Sequence, residues 1–153
     1  MKSLLAFGRL SGQDRILLVE AFAMLAGCRL ALRFVPLERL LANIGERGRR
    51  KAPLDRVAWA LRAASRRMPR VTCLETALAL QRLLARYGHS SSLRIGVAKT
   101  GPDFSAHAWL IGDDRVLIGD ENLEKYTELT SWNAGAASGA ASAANRTVKF
   151  GPG

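Results

Sequence analysis

The chain has 153 residues, about one domain, and is long enough to bury roughly 70% of its unfolded surface. Its two cysteines, at 28 and 73, argue against a disulfide framework and point to a cytoplasmic protein. The formal net charge is +10, but no recognised nucleic-acid motif accompanies it and no aromatic residues interleave with it as stacking platforms, so nucleic acid is not an expected partner.

Met1-Lys2-Ser3-Leu4-Leu5 has neither an apolar stretch nor a cleavage site adequate for a secretory signal. Ser11 and Asp14 start a predicted helix that continues through Ile16 to Cys28 and towards Phe34. Pro36 restarts a second helix to about Ile44. Glu20 and Arg29 interrupt the first apolar run, which falls short of the roughly 20 residues of a membrane span. It is expected to be buried or to face a partner. The alternative is peripheral membrane contact, because an apolar helix beside basic residues can lie on a lipid surface.

A third helix is predicted from Leu54 to Arg67, with Val57, Leu61, Ala64 and Met68 along one side. Arg56, Arg62, Arg66 and Arg67 occupy its other faces, and Arg47, Arg49, Arg50 and Lys51 precede it. Such charge can attract acidic partner segments over distance, although a solvated face is the simpler reading.

The fourth helix opens on Thr72-Cys73-Leu74-Glu75 and stops at Tyr87-Gly88. Thr72 and Glu75 have the spacing of a capping box, and Pro69 suits an extended approach. With Thr72 as N-cap, Cys73 is the first helical residue, beside unpaired N–H groups at the positive end of the helix. Thiolate, the attacking species, is favoured there, and the same N–H groups suit a forming oxyanion. Against this stands the ordinary role of a free cysteine as a small buried hydrophobe.

Strands follow. Ser92 to Ala98 alternates, with Leu93, Ile95 and Val97 on one side, and Thr100-Gly101-Pro102-Asp103 turns the chain. A second strand spans Ser105 to Ile111, Gly112-Asp113-Asp114-Arg115 turns again, and Val116-Leu117-Ile118 returns. A two-residue loop at Asp113-Asp114 pairs Gly112 with Arg115, and in the same register His107 faces Asp120. A three-residue loop would put Gly119 there instead. Opposed residues share a face, about 4.5–5.5 Å apart at Cβ, so Asp120 is placed to hold the His107 imidazole. Asp113 and Asp114 are better read as turn formers, and Asp120 alone would pass for a solvated strand end.

Cys73, His107 and Asp120 together make the nucleophile, base and orienting carboxylate of acyl-transfer enzymes. A zinc site from Cys28, Cys73, His89 and His107 lacks the short paired spacings such sites use, so no metal or other cofactor is expected, and His89 reads as a loop residue. From Ala134 to Ala144 small residues dominate without periodicity, which predicts a mobile tail.

The run Cys73-Leu74-Glu75-Thr76-Ala77-Leu78-Ala79-Leu80-Gln81-Arg82-Leu83-Leu84, then Leu93-Arg94-Ile95-Gly96-Val97, then Phe104-Ser105-Ala106-His107-Ala108-Trp109-Leu110, resembles the lasso peptide biosynthesis B2 proteins. These are transglutaminase-like cysteine proteases that remove the leader from a ribosomal lasso peptide precursor. The order and spacing of the three pieces carry the resemblance, most strongly over residues 69–120. It implies an α+β, transglutaminase-like (papain-like) core, with a cysteine-bearing helix packed on an antiparallel sheet carrying histidine and aspartate. By position it implies Cys73 as nucleophile, His107 as base and Asp120 as third member. Gln81 is a usual helix residue of this family, while Ile111 departs from a position where glutamate is common.

The implied division is an N-terminal helical region (1–52), a catalytic core (53–132) and the tail (133–153). The implied form stands alone, with a separate leader-binding B1-type protein delivering the precursor and a lasso cyclase closing the ring at the exposed amine. Cleavage in this family commonly follows a leader whose penultimate residue is threonine. Other readings are a binding or scaffold protein on the same fold with an inert cysteine, and an acyltransferase using the same three residues.

Overall fold

The computed structural model describes residues 10–42, 44, 48, 51–120 and 122–134. Helices α1 (Gly12–Phe34), α2 (Leu37–Ala42), α3 (Leu54–Ser65) and α4 (Cys73–Arg86) precede strands β1 (Ser91–Thr100), β2 (Asp103–Gly112), β3 (Arg115–Ile118) and β4 (Thr127–Ala134). The sheet is antiparallel throughout, ordered β3-β2-β1-β4, so the fold is α+β as expected. Residues 1–9, with the proposed non-signal start, lie outside the described residues, as do Arg47, Arg49 and Arg50 of the basic loop and the tail from 135 to 153.

The helix boundaries follow local chemistry. The Ser11 hydroxyl accepts from the Asp14 N–H, closing the start of α1. One face of α1 is buried through Leu17, Leu18, Ala21, Leu25 and Cys28, while Ile16, Val19, Leu30 and Phe34 are exposed. Among the described residues no helix is long and apolar enough to cross a membrane. Helix α3 buries Val57, Leu61 and Ala64, the side its periodicity indicated.

Helix α4 is the centre of the molecule. Nine of its residues are buried, from Thr76 through Leu84 and Ala85, and it touches α1, α3, β1, β2 and β4. Each fully buried leucine contributes about 1.5–3 kcal/mol relative to exposure. The core continues across residue 52, since Leu17, Leu25, Leu61, Leu80, Leu93 and Leu110 belong to one cluster.

Two features of the sheet depart from expectation. Strand β4 was not foreseen, and it takes in Asn133 and Ala134, the first residues assigned to the tail. The β2–β3 register also changes. Gly112 pairs with Arg115 and Ile111 with Val116, as expected, but Leu110 then pairs with Ile118, leaving Leu117 as an extra residue on β3. This bulge turns the Leu117 side chain into the core, where it is 2% exposed. Its carbonyl, displaced from the ladder, accepts from the Arg62 guanidinium through Nε at 3.0 Å and through a terminal nitrogen.

Gly96 marks a close approach. A Cβ at that position would lie 2.8 Å from the Trp109 ring and 2.8 Å from the Thr127 carbonyl oxygen. The indole of β2 therefore crosses β1 where there is no side chain, and Trp109 is buried there. Gly96→Ala must displace backbone as well as ring. We expect it to cost about 1–3 kcal/mol, as overpacking does. The check is the thermal midpoint, which should fall by several degrees; an unchanged midpoint would mean the ring does not lie over Gly96.

Candidate active site

Cys73 is fixed by the way α4 begins. The Thr72 hydroxyl accepts from Glu75 N–H at 3.2 Å, and Glu75 Oε2 accepts from Thr72 N–H at 2.9 Å, so the capping box is complete. The Thr72 carbonyl takes Thr76 N–H at 3.1 Å and its hydroxyl at 2.9 Å. Among the described residues the N–H groups of Cys73 and Leu74 have no acceptor, which leaves two donors at the cysteine itself.

The approach to the helix is also pinned. Arg70 takes a positive φ of 56° to turn the chain. Arg29 of α1 donates to the Pro69 carbonyl at 2.8 Å and lies 3.9 Å from Glu75.

A cavity of about 480 Å³ opens at this helix end, lined among others by Thr72, Cys73, Thr76, His107, Gly119 and Asp120. Cys73 is half-buried on its wall. The three residues singled out from the sequence therefore all line one cavity. Among the described residues no hydrogen bond joins Cys73 to His107 or His107 to Asp120.

His107 lies on the part of β2 that β3 does not cover, because β3 pairs only with Leu110, Ile111 and Gly112. Its alternating neighbours Ala108 and Leu110 enter the helical core, which puts His107 and Trp109 on the other face of the strand. His107 Nε2 is 2.9 Å from the Gly119 carbonyl oxygen. This corrects the expected His107–Asp120 pairing. The Leu117 bulge moves the register by one residue, β3 ends at Ile118, and Gly119 turns the chain at φ +80°. Gly119 sits so close to β2 that a Cβ there would be 2.7 Å from the Ala108 carbonyl oxygen. Asp120 then lies exposed at the cavity mouth.

The Gly119 contact has a chemical consequence. A carbonyl oxygen only accepts, so Nε2 must carry the hydrogen, and the neutral ring keeps its lone pair on Nδ1. That is the tautomer a general base needs when its other nitrogen is held by an orienting acceptor.

Tyr126 is a neighbour that motif reasoning missed. Its ring stacks on His107 at 5.0 Å between centroids, and its hydroxyl is 3.5 Å from Ser105 Oγ. Trp109 stacks on the other nearby position, at 6.2 Å. Tyr126 precedes β4, so nothing short of recognising that strand would have brought it to the site. Gln81, buried in α4, donates Nε2 to the Trp132 carbonyl at 2.8 Å and ties the helix to β4, away from the cavity lining. His89 contacts the Ala52 carbonyl through Nε2 at 2.7 Å.

The chain belongs to the transglutaminase-like superfamily, whose family model matches residues 17–131. Members of that superfamily are typically cysteine proteases or acyltransferases. The comparison with curated proteins and the comparison with solved structures each gave no match.

Removing the cap tests how the cysteine is held. Thr72→Ala should destabilise the protein by about 1 kcal/mol, the usual worth of such a cap. It should also slow alkylation of Cys73, because the first turn loses its hydroxyl acceptor and frays. Denaturant titration with a timed iodoacetamide reaction reads both; unchanged stability and rate would show that the cap does not hold the site.

Proposed function

We propose that this protein is a cytoplasmic cysteine peptidase that removes the leader from a lasso peptide precursor. A separate leader-binding protein would present the precursor, and a lasso cyclase would act on the product. The observation that carries the reading is a cavity lined both by Cys73, at an uncovered helix N-terminus, and by a histidine whose Nε2 is already committed to a carbonyl. The residue runs around Cys73, Gly96 and His107 support the narrower assignment to leader removal.

In this mechanism His107 Nδ1 takes the proton from Cys73 Sγ, and the thiolate attacks the carbonyl carbon at the leader–core junction. The tetrahedral oxyanion is received by the free N–H groups of Cys73 and Leu74. Collapse breaks the C–N bond, His107 gives its proton to the departing core amine, and the leader remains as a thioester on Cys73. Water, deprotonated by His107, then releases the leader acid and restores the thiol. Catalytic hydrogen bonds are often long in a free enzyme and tighten with substrate, which accommodates a Cys73–His107 pair not yet bonded. Asp120, next in sequence to the carbonyl that holds the ring, acts in this scheme as the charge that favours the imidazolium.

The test is mass spectrometry of a candidate precursor incubated with the protein, with and without a leader-binding partner. Cleavage into leader and core is expected, abolished in Cys73→Ala and His107→Ala while circular dichroism stays native. Asp120→Asn should slow the reaction by about tenfold or more, the scale of losing support for a catalytic base. Full activity in Cys73→Ala would contradict the proposal, full activity in Asp120→Asn would move the third role to Gly119 alone, and an amide product in place of the free leader acid would indicate transfer to an amine.

A further inference from the structure

We infer that Arg62 and Arg66 form a subsite for an acidic side chain of the peptide substrate, beside the bond that Cys73 attacks. The inference rests on the reading of Cys73 as nucleophile. Both arginines line the Cys73 cavity, and their i, i+4 spacing sets them on one face at the end of α3.

The charge around them is not balanced. Four arginines among the described residues have carboxylate neighbours: Arg56 meets Asp14, Arg115 meets Asp55, Arg94 meets Glu128 at 2.8 Å and Arg29 approaches Glu75 at 3.9 Å. Among the described residues, neither Arg62 nor Arg66 has a carboxylate within ion-pair distance. Arg62 is held by the neutral Leu117 carbonyl, which fixes its guanidinium without cancelling the charge. The Arg66 side chain makes no hydrogen bond among the described residues and is exposed.

The N-terminal end of α4 adds positive potential to the same cavity. Among the described residues that line the cavity, one carboxylate stands opposite these, Asp120. An anionic side chain entering the cavity gains from two guanidinium groups, and a cationic one is repelled. The two arginines divide the work. Arg62, immobilised on β3, sets a constant potential. Arg66 is free to close on a carboxylate with two parallel N–H donors, a geometry lysine lacks.

The experiment reads the potential at Cys73 without needing a substrate. The whole protein is treated with two methanethiosulfonates of similar size, one ending in sulfonate and one in trimethylammonium. Rates at Cys73 are followed by peptide mapping and normalised to mercaptoethanol. The anion is expected to be favoured by about tenfold, the lower end of electrostatic focusing in a charged cleft. Arg66→Gln should reduce the ratio and Arg66→Glu should invert it. Arg67→Gln should leave it unchanged, since Arg67 donates to the Ala63 carbonyl and does not line the cavity.

A ratio at the mercaptoethanol value and unmoved by Arg66→Glu would overturn the subsite. In a second arm, precursor residues within three positions of the cut are changed in turn to Asp, Asn and Lys. Cleavage with no preference for Asp over Asn at any position overturns the subsite while sparing the peptidase reading. No cleavage with the ratio intact counts against the peptidase reading and leaves the anion-selective wall standing.

Discussion

The burial of α4 is the constraint from which the rest of the structure follows. Leu78, Leu80, Leu83 and Leu84 are fully enclosed, with elements of both the helical layer and the sheet against them. Sliding the helix by a fraction of a turn would open cavities, and emptying one such leucine site costs about 2–5 kcal/mol. The helix therefore cannot shift along its axis, and its first residue is held where the cavity opens. Cys73 inherits its position from leucines about one to three turns away, while the capping box and Arg29 fix the few atoms that the core does not reach. The contrast with Cys28 is instructive. That thiol is buried in α1, and burial pushes its pKa up, partly offset by the charge of Arg82. The two cysteines share a chemistry and differ in what surrounds them.

The sheet shows the same economy of space. Trp109 needs the room that Gly96 leaves, and Gly119 needs the backbone conformation that lets its carbonyl meet His107. The short motifs around residues 96 and 107 are thus two halves of one contact, a glycine on β1 and an indole on β2. The Leu117 bulge supplies the third part. By bringing Leu117 into the core it shortens β3, leaves the edge of β2 open at His107, and puts a carbonyl in reach of Arg62. Packing, register and the electrostatics of the cavity are coupled through that single extra residue.

Much of this was legible in the chain. The cap at Thr72 and Glu75, the start of α1 at Ser11, the buried side of α3 and the turn at Asp113-Asp114 all followed from local chemistry, and they appear where expected. Three features were not. Strand β4 hid because Thr127 to Ser131 are exposed and polar apart from Leu129, without the alternation that announces a strand. Its partner β1 specifies it through long-range pairing, which local pattern does not record. The bulge was invisible because period and turn type fix register only while each residue has one partner. Tyr126 was missed with β4. The correction at Asp120 comes from the bulge as well: the partner of His107 Nε2 is a backbone carbonyl, and no side-chain pattern can announce one.

We propose that α4 presents Cys73 to an open cavity with His107 as its base. It is tested most directly by the rate at which iodoacetamide labels each cysteine of the intact protein near neutral pH. Rapid labelling at Cys73, little at the buried Cys28, and a marked slowing at Cys73 in His107→Ala would agree with it. A Cys73 that labels no faster than Cys28, or that is indifferent to His107, would contradict it.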